Sequence, residues 1–329
     1  MPDLTAKWTE KAPKRQSKVL KFLKGLGLLW VVVLLCIVAV YLNPSFMKAG
    51  NLLNVSRQIA LFGIVSIGMT FVILTRGIDL SVGSIVGVVA VSAAILLANG
   101  TAIPIVVLLS LILGALFGAF NGLGITLFKM PPFIMTLGTL VMGRGIAMTI
   151  ANGEPQSLKQ AAEDFAYLGA GFFLGLPVPV WLFIAIAAAA MFVLRMTSFG
   201  RAIYAVGSNA EAARLAGINV QRTLFAVYVI SGVLCALTAL IFISRLTVGE
   251  PTAGTNLELE AISIVVIGGT SLFGGEGGVW GTVVGAAIIA LMANILNLLG
   301  ITPFTQQIVK GAIILAAVGF EVMRHRKSS

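Results

Sequence analysis

Three stretches of this 329-residue chain carry residue types that can do chemistry, and the chemistry they suit is binding and conduction. The first is Gly207–Gly217, GSNAEAARLAG. Ser208 can cap a short helix, and Glu211 three residues later can bond back to it, which is the spacing of a capping box. Gly217 can take the left-handed conformation that ends a helix. Glu211 and Arg214, three apart, share one side. About two turns of helix are marginal alone in water, so this one needs something to pack against, and Asn209, Glu211 and Arg214 are the side chains free to touch it. The second stretch is Arg76–Ser84, RGIDLSVGS. It reads either as broken helix facing polar contents or as a short turn with an Arg76–Asp79 pair, with Ser81 or Asp79 capping the helix that follows. The third is Gly268–Gly278, GGTSLFGGEGG. Glycine so dense makes helix costly, and irregular backbone at membrane depth is tolerated where protein or a wet cavity covers it. That favours a pathway or gate, the alternative being a flexible loop. No Lys-Ser or Lys-Thr closes the run as a phosphate loop requires, and no such loop occurs elsewhere. The chain is therefore not expected to use ATP itself.

Isolated polar residues add to these. Arg144 and Lys310 fall inside apolar runs, where a cation costs about 2.5–3.5 kcal/mol on insertion scales. Such groups face a bundle interior and mark a pathway or a buried pair; for Lys310, snorkelling to the interface is the alternative. Asn121 and Asn294, also within apolar runs, can bond between helices. The candidates for lying near a pathway, or stabilising it, are Asp79, Asn121, Arg144, Thr270, Ser271 and Asn294. Catalysis has little to work with. The sole histidine, His325, is in the tail, Cys36 and Cys235 sit in apolar runs as small core residues, and no carboxylate cluster lies mid-run. Neither an enzyme nor a metal site is expected.

The elements that must position these residues follow from composition. The chain is 58% hydrophobic and 10% charged, against about 45–50% and about 25% for soluble domains. The unbroken apolar runs fit an all-α, polytopic membrane bundle and not an outer-membrane barrel. About ten runs are expected to span: Gly25–Leu42, Gln58–Leu74, Leu80–Ala98, Ala102–Phe128, Pro132–Ala151, Val178–Leu194, Thr223–Ser244, Ala261–Phe273, Gly277–Leu299 and Pro303–Val322. Ala261–Phe273 is too short for about 30 Å of hydrocarbon, so a broken or half-length helix, extended by Asn256–Glu260, is expected. The first run lacks a cleavage signal and reads as an uncleaved span. Glycines at Gly114–Gly124 permit close helix packing.

Basic residues orient the bundle. With the N-terminus inside, the arm of residues 1–24 (Lys7, Lys11, Lys14, Arg15, Lys18, Lys21, Lys24) is cytoplasmic. Arg76, Lys129, Arg195, Arg201, Arg214 and Arg222 join it, as do Arg324, Arg326 and Lys327 in the tail of residues 324–329. Only Lys48, Arg57, Lys159 and Arg245 fall outside. The net charge of +10 thus marks cytoplasmic loops, not a nucleic-acid partner. The transmembrane domain covers residues 25–323, with the Gly207–Gly217 helix on its cytoplasmic side. Asn152–Pro177 and Arg245–Glu260 are the large outer loops, acidic in patches. Gly124-Ile125-Thr126 before Pro132-Phe133, and Gly300-Ile301-Thr302 before Pro303-Phe304, lie at opposite boundaries, as an inverted repeat would place them.

Three segments carry a resemblance. Thr75–Ser84 (TRGIDLSVGS), Gly207–Val220 (GSNAEAARLAGINV), and the run from Glu250-Pro251-Thr252-Ala253-Gly254-Thr255 through Gly268–Leu272 to Asn297–Gly300 are similar to the permease subunits of ribose-type sugar ABC importers, a family shared with branched-chain amino-acid permeases. The resemblance covers roughly 40 to 322. Sugar-branch members carry Gly-Gly or Ser-Gly before Ile-Asp-Leu-Ser; here Arg76 takes the first place. The resemblance implies about ten spans in a bacterial inner membrane with both termini cytoplasmic, and a homodimer or heterodimer of permeases in lipid. It implies a separate cytoplasmic ATPase subunit that uses ATP and Mg, this chain holding no cofactor, and an extracytoplasmic sugar-binding protein. It makes Gly207–Gly217 the coupling helix, with Gly207, Ser208, Asn209, Glu211, Arg214 and Gly217 at the ATPase. The Ile-Asp-Leu-Ser form favours a sugar; an amino acid, a nucleoside or a furanose-like signal is the alternative cargo. An ion-coupled secondary carrier is the rival class, with Asp79 the only acid near a span's interior edge.

Overall fold

The computed structural model describes residues 27–326. The basic arm predicted over residues 1–24 lies outside the described residues, as does the tail beyond Arg326. The chain runs as helices α1 (Gly27–Leu42), α2 (Ala49–Leu74), α3 (Val82–Ala98), α4 (Ile103–Thr126) and α5 (Pro132–Ala151). Short helices α6 (Ala161–Phe165) and α7 (Tyr167–Ala170) follow, then α8 (Val178–Met196), α9 (Ser198–Ser208) and α10 (Ala210–Leu215). The last part is α11 (Val220–Leu246), α12 (Leu257–Ile267), α13 (Val279–Leu298) and α14 (Pro303–Arg326). Among the described residues, six helices (α2, α4, α5, α8, α11 and α13) are long and apolar enough to cross a membrane; α1 and α3 are shorter apolar helices. This is a polytopic helical bundle.

Burial separates the middle from the rim. The most apolar window of α2 is 78% buried and those of α11 and α13 are 61%, whereas α4, α5 and α8 bury 22–28%. Leu108, Leu116 and Phe120 of α4 and Phe192 of α8 stay exposed, an apolar outer surface suited to lipid and not to water. One core joins α2, α3 and α11 around Met69, Ile85, Val89, Ala239 and Leu240; a second joins α2, α8 and α11 around Ile64, Ile67, Phe183 and Tyr228. The glycines of α4 do what their spacing predicts. A Cβ on Gly114 would stand 2.3 Å from the Gly232 carbonyl, and one on Gly118 2.3 Å from that of Tyr228, so α4 and α11 touch backbone to backbone.

The short run before the third glycine-rich stretch is α12, with 11 residues from Leu257 to Ile267. At about 1.5 Å per residue it covers roughly half of a bilayer core; it starts within the Asn256–Glu260 extension but stops at Ile267, short of the expected Phe273, because Gly268 and Gly269 open the glycine-rich stretch. By the same rise, α11 with 27 residues spans about 40 Å. It therefore separates two ends of the bundle. One holds α9 and α10; the other holds the loops before α12 and between α5 and α8. Those two loops are tied by a short antiparallel pair, β1 (Gln156–Ser157) against β4 (Val248–Gly249). Beside them, β2 (Phe172–Phe173) and β3 (Leu176–Pro177) form a hairpin with Phe172, Phe173 and Leu174 exposed.

Candidate functional site

The end bearing α9 and α10 corrects the capping assignment. Ser208 is the last residue of α9, and Asn209, in extended backbone at φ −158°, is the cap of α10. Its Oδ1 accepts from the N–H groups of Glu211 and Ala212, both at 3.0 Å. Glu211 does not reach back to the cap. Arg214 holds it instead, with Nη2 2.6 Å from Oε1 and Nε 3.1 Å from Oε2. That pairing keeps the Glu211 carboxylate below its usual range and the Arg214 guanidinium above its own. Both are exposed, so the pair presents charge and adds little stability. Gly217 does end the element in the left-handed region, at φ +83°. Sequence reading missed α9 itself, although Thr197, whose Oγ1 accepts from the Gly200 N–H, is a standard cap.

Side-chain bonds and a close backbone approach fix α9 to the bundle. The glycine-rich loop bridges α2 and α9: Gly275 N–H donates to the Leu74 carbonyl of α2 at 3.0 Å, and the Tyr204 hydroxyl of α9 to the Gly277 carbonyl at 2.9 Å. Burial raises the Tyr204 phenol pKa, opposed by the Arg195 charge, so it stays a neutral donor. Arg76 Nη2 donates to the Ser208 carbonyl. Arg76 makes no pair with Asp79, and its φ of +63° is a conformation glycine takes more readily. Thr270 is buried in this loop, its Oγ1 accepting from the Gly278 N–H; Ser271 Oγ accepts from the Phe273 N–H. Thr270 and Ser271 thus shape the loop that meets α9.

Asp79 and Asn121 meet deeper in. Asp79 is fully buried. Its Oδ1 accepts from the Ser81 N–H (3.0 Å) and Oγ–H (2.6 Å), and its Oδ2 from Ser231 Oγ–H (2.8 Å). Asn121 Nδ2 donates to Ser81 Oγ at 2.8 Å and its Oδ1 accepts from Thr139 at 2.6 Å. One network therefore joins the α2–α3 link to α4, α5 and α11. Neither Asp79 nor Ser81 caps α3 with its side chain; both are spent on these bonds. Asn294 makes a reciprocal amide pair with Asn51 of α2, at 2.7 and 3.0 Å. Arg144 donates to the carbonyls of Pro251 and Ala253, so the loop before α12 dips into the bundle, where the carbonyls solvate the cation.

Lys310 is not snorkelling. Its Nζ lies 2.8 and 3.0 Å from the two oxygens of Glu260, with the side chains 26% and 14% exposed. Removing one partner leaves a shielded charge alone. Lys310→Met should therefore lower stability by about 3 kcal/mol, and the exchanged pair Glu260→Lys with Lys310→Glu should recover most of it. Thermal unfolding of the purified protein in nanodiscs reads both, and equal loss in the single and exchanged variants would show that the pair is not what matters.

This ion pair borders a cavity of about 480 Å³ among α2, α11, α13, α14 and the loop before α12. Gln58, Arg245, Glu250, Asn256, Asn297 and Gln306 bring polar groups to it. None of Asp79, Asn121, Arg144, Thr270, Ser271 or Asn294 lines it. Among the described residues, no three His, Cys, Asp or Glu side chains gather as metal ligands.

An apolar bundle with its polar fasteners sealed inside, a polar cavity toward one end and a charged helix projecting at the other has the build of a solute-conducting membrane protein. Residues 51–318 match the family described as "Branched-chain amino acid transport system / permease component", and the chain belongs to that family. It is 43% identical to the ribose import permease protein of Haemophilus influenzae, over 88% of this chain and 90% of that one. It is 43% identical to the ribose import permease protein of Bacillus subtilis, over 89% and 90%. The xylose transport system permease protein of Escherichia coli is 36% identical over 93% and 95%. No solved structure matches.

Proposed function

We propose that the chain is the membrane-spanning permease subunit of an ATP-dependent, binding-protein-dependent importer for a monosaccharide, ribose-like or related. The observation that carries this is the near full-length similarity to ribose and xylose permeases. The chain conducts, and ATP hydrolysis belongs to a separate cytoplasmic subunit working with Mg. The bundle, residues 25–323, crosses a bacterial inner membrane about ten times with both termini cytoplasmic, and works as a dimer. The matched Pro-Phe starts of α5 and α14 are in keeping with an inverted repeat.

The α9–α10 unit is the docking element for the ATPase, through Asn209, Glu211 and Arg214. Its exposed charge pair and its fixed cap give a rigid knob rather than a loose loop. Closure of the ATPase subunits displaces this knob, and the helices on either side, α8 and α11, carry the displacement into the bundle. ATP and the loaded binding protein favour different states, so each shifts the population. The loops joined by β1 and β4 form the face for the sugar-binding protein.

Two measurements test the reading. In proteoliposomes holding permease, ATPase and binding protein, D-ribose or a related sugar accumulates only with ATP. Uptake that persists without the ATPase subunit and collapses with the proton gradient would overturn the assignment. For docking, Glu211→Arg and Arg214→Glu should each weaken assembly with the ATPase about fivefold, and the double exchange should recover part of it. If all three leave assembly and transport untouched, α10 is not the docking element.

A further inference from the structure

A second cavity, of about 370 Å³, adjoins the first. Thr255, Asn256, Glu260 and Lys310 line both. The wall between the two includes an ion pair made by side chains from different helices, α12 and α14. Such a wall opens by rotamer change or by a small separation of the two helices, with no helix unwound.

We propose that the larger cavity holds one neutral, polyhydroxylated molecule, and that the Glu260–Lys310 pair is the partition that parts to let it into the second cavity. This deepens the importer reading and rests on it. The larger cavity is charge-balanced, with Arg245 and Lys310 against Glu250 and Glu260, so it has no net preference for an anion or a cation. Its amides suit hydroxyl groups, which donate and accept. The Gln58 amide oxygen is buried and has no partner, and an unmade bond of that kind costs about 1–3 kcal/mol. Phe62 and Phe242 offer an apolar face for the C–H side of a sugar ring. The volume of about 480 Å³ lies within the usual range of small-molecule sites.

The partition is also connected to the far end of the bundle. Glu260 sits in the first turn of α12, and the other end of α12 runs into the glycine-rich loop whose Gly275 bonds the Leu74 carbonyl beside Gly207. Over 11 residues α12 is a strut of about 16 Å. Movement of α9 therefore reaches Glu260 through the glycine-rich loop and one short rigid helix.

The test uses the permease–ATPase complex in nanodiscs, with Cys36→Ser and Cys235→Ala removing the native thiols. Thr238→Cys places a thiol in the larger cavity, and Ser263→Cys one in the smaller. A small methanethiosulfonate reagent labels each. Saturating D-ribose, or another sugar from a neutral monosaccharide panel, should slow labelling at position 238 about tenfold, as occupancy by mass action requires. Leucine should not. Gln58→Leu should raise the sugar concentration giving half-protection about fivefold. Glu260→Gln with Lys310→Met should speed labelling at position 263. The proposal is overturned if no monosaccharide protects position 238, if leucine protects it equally, or if loss of the pair leaves position 263 unchanged. ATP-driven uptake by the same complex with its binding protein separates the two levels. Sugar uptake without protection removes the site and leaves the importer; absence of uptake of any monosaccharide in the panel removes both.

Discussion

Gly207→Ala is expected to reduce ATP-driven uptake by more than tenfold and to lower thermal stability by about 3 kcal/mol, the upper end for overpacking. A Cβ at this position would stand 1.8 Å from the Leu74 carbonyl oxygen and 2.7 Å from the Gly275 nitrogen. Both are backbone atoms, joined to each other by a 3.0 Å hydrogen bond, so no rotamer relieves the clash. The end of α9 must lift off α2. It then loses the Arg76 link to the Ser208 carbonyl and the seat formed by the glycine-rich loop. The side-chain cap on α10 is untouched, because the Asn209 Oδ1 accepts only from the Glu211 and Ala212 N–H groups, and the Asn209 N–H bond to the Ala205 carbonyl moves with α9. Docking should therefore survive while force transmission fails, leaving ATP hydrolysis that no longer drives uptake. Gly217→Ala is the control. Gly217 has φ +83° but nothing within 4 Å of its Cβ position, so the change costs only about 1 kcal/mol of backbone preference and uptake is largely kept. Wild-type uptake and melting in Gly207→Ala would show that this close approach is not functional.

The contrast between these glycines shows what the sequence makes legible. A terminal glycine after a short helix has a local reason, and Gly217 is readable from its neighbours alone. Gly207 is needed because of Leu74 and Gly275, residues 133 and 68 positions away in the chain by their numbering, and no window contains that reason. The helix bounds follow the same division. Pro132–Ala151 is read without error because proline marks its first turn and left-handed Asn152 its end. α2 begins at Ala49 and not near Gln58, since the polar residues that suggest a boundary are partly fasteners, Asn51 bonding Asn294 from α13. Two adjacent cap formers, Ser208 and Asn209, cannot be ranked by type; the extended backbone at Asn209 decides between them. Polar residues inside apolar runs need partners, and Asn121, Arg144, Asn294 and Lys310 have them. That Lys310 would meet Glu260 at the edge of a cavity is hidden, because Gln58, Arg245, Asn297 and Gln306 come to that cavity from four helices or their edges.

Asp79→Ala should be the most damaging single change in the bundle interior, with little folded protein recovered and a stability loss of at least about 3 kcal/mol. It leaves the Ser81 N–H, the Ser81 hydroxyl and the Ser231 hydroxyl without their acceptor, in a site closed to water. The loss spreads, because Ser81 also accepts from Asn121, which is held by Thr139; four helices or links share the one network. Asp79→Asn keeps the volume and one acceptor but turns an amide N–H₂ toward a donor, for an expected cost of about 1–2 kcal/mol. Ser231→Ala removes only one of the three bonds and should cost about 1 kcal/mol. The order Ala, then Asn, then Ser231→Ala, read by thermal unfolding in nanodiscs, distinguishes a shared fastener from independent contacts. The same variants separate the importer from a proton-coupled carrier. A coupling acid must exchange protons with a pathway, yet Asp79 lines neither cavity and all of its observed bonds hold neighbouring backbone and hydroxyl groups in place. Asp79→Asn, once folded, should thus retain ATP-driven uptake within about threefold of the parent. Complete loss of uptake in a well-folded Asp79→Asn protein, with Ser231→Ala fully active, would place the carboxyl group in the transport cycle itself.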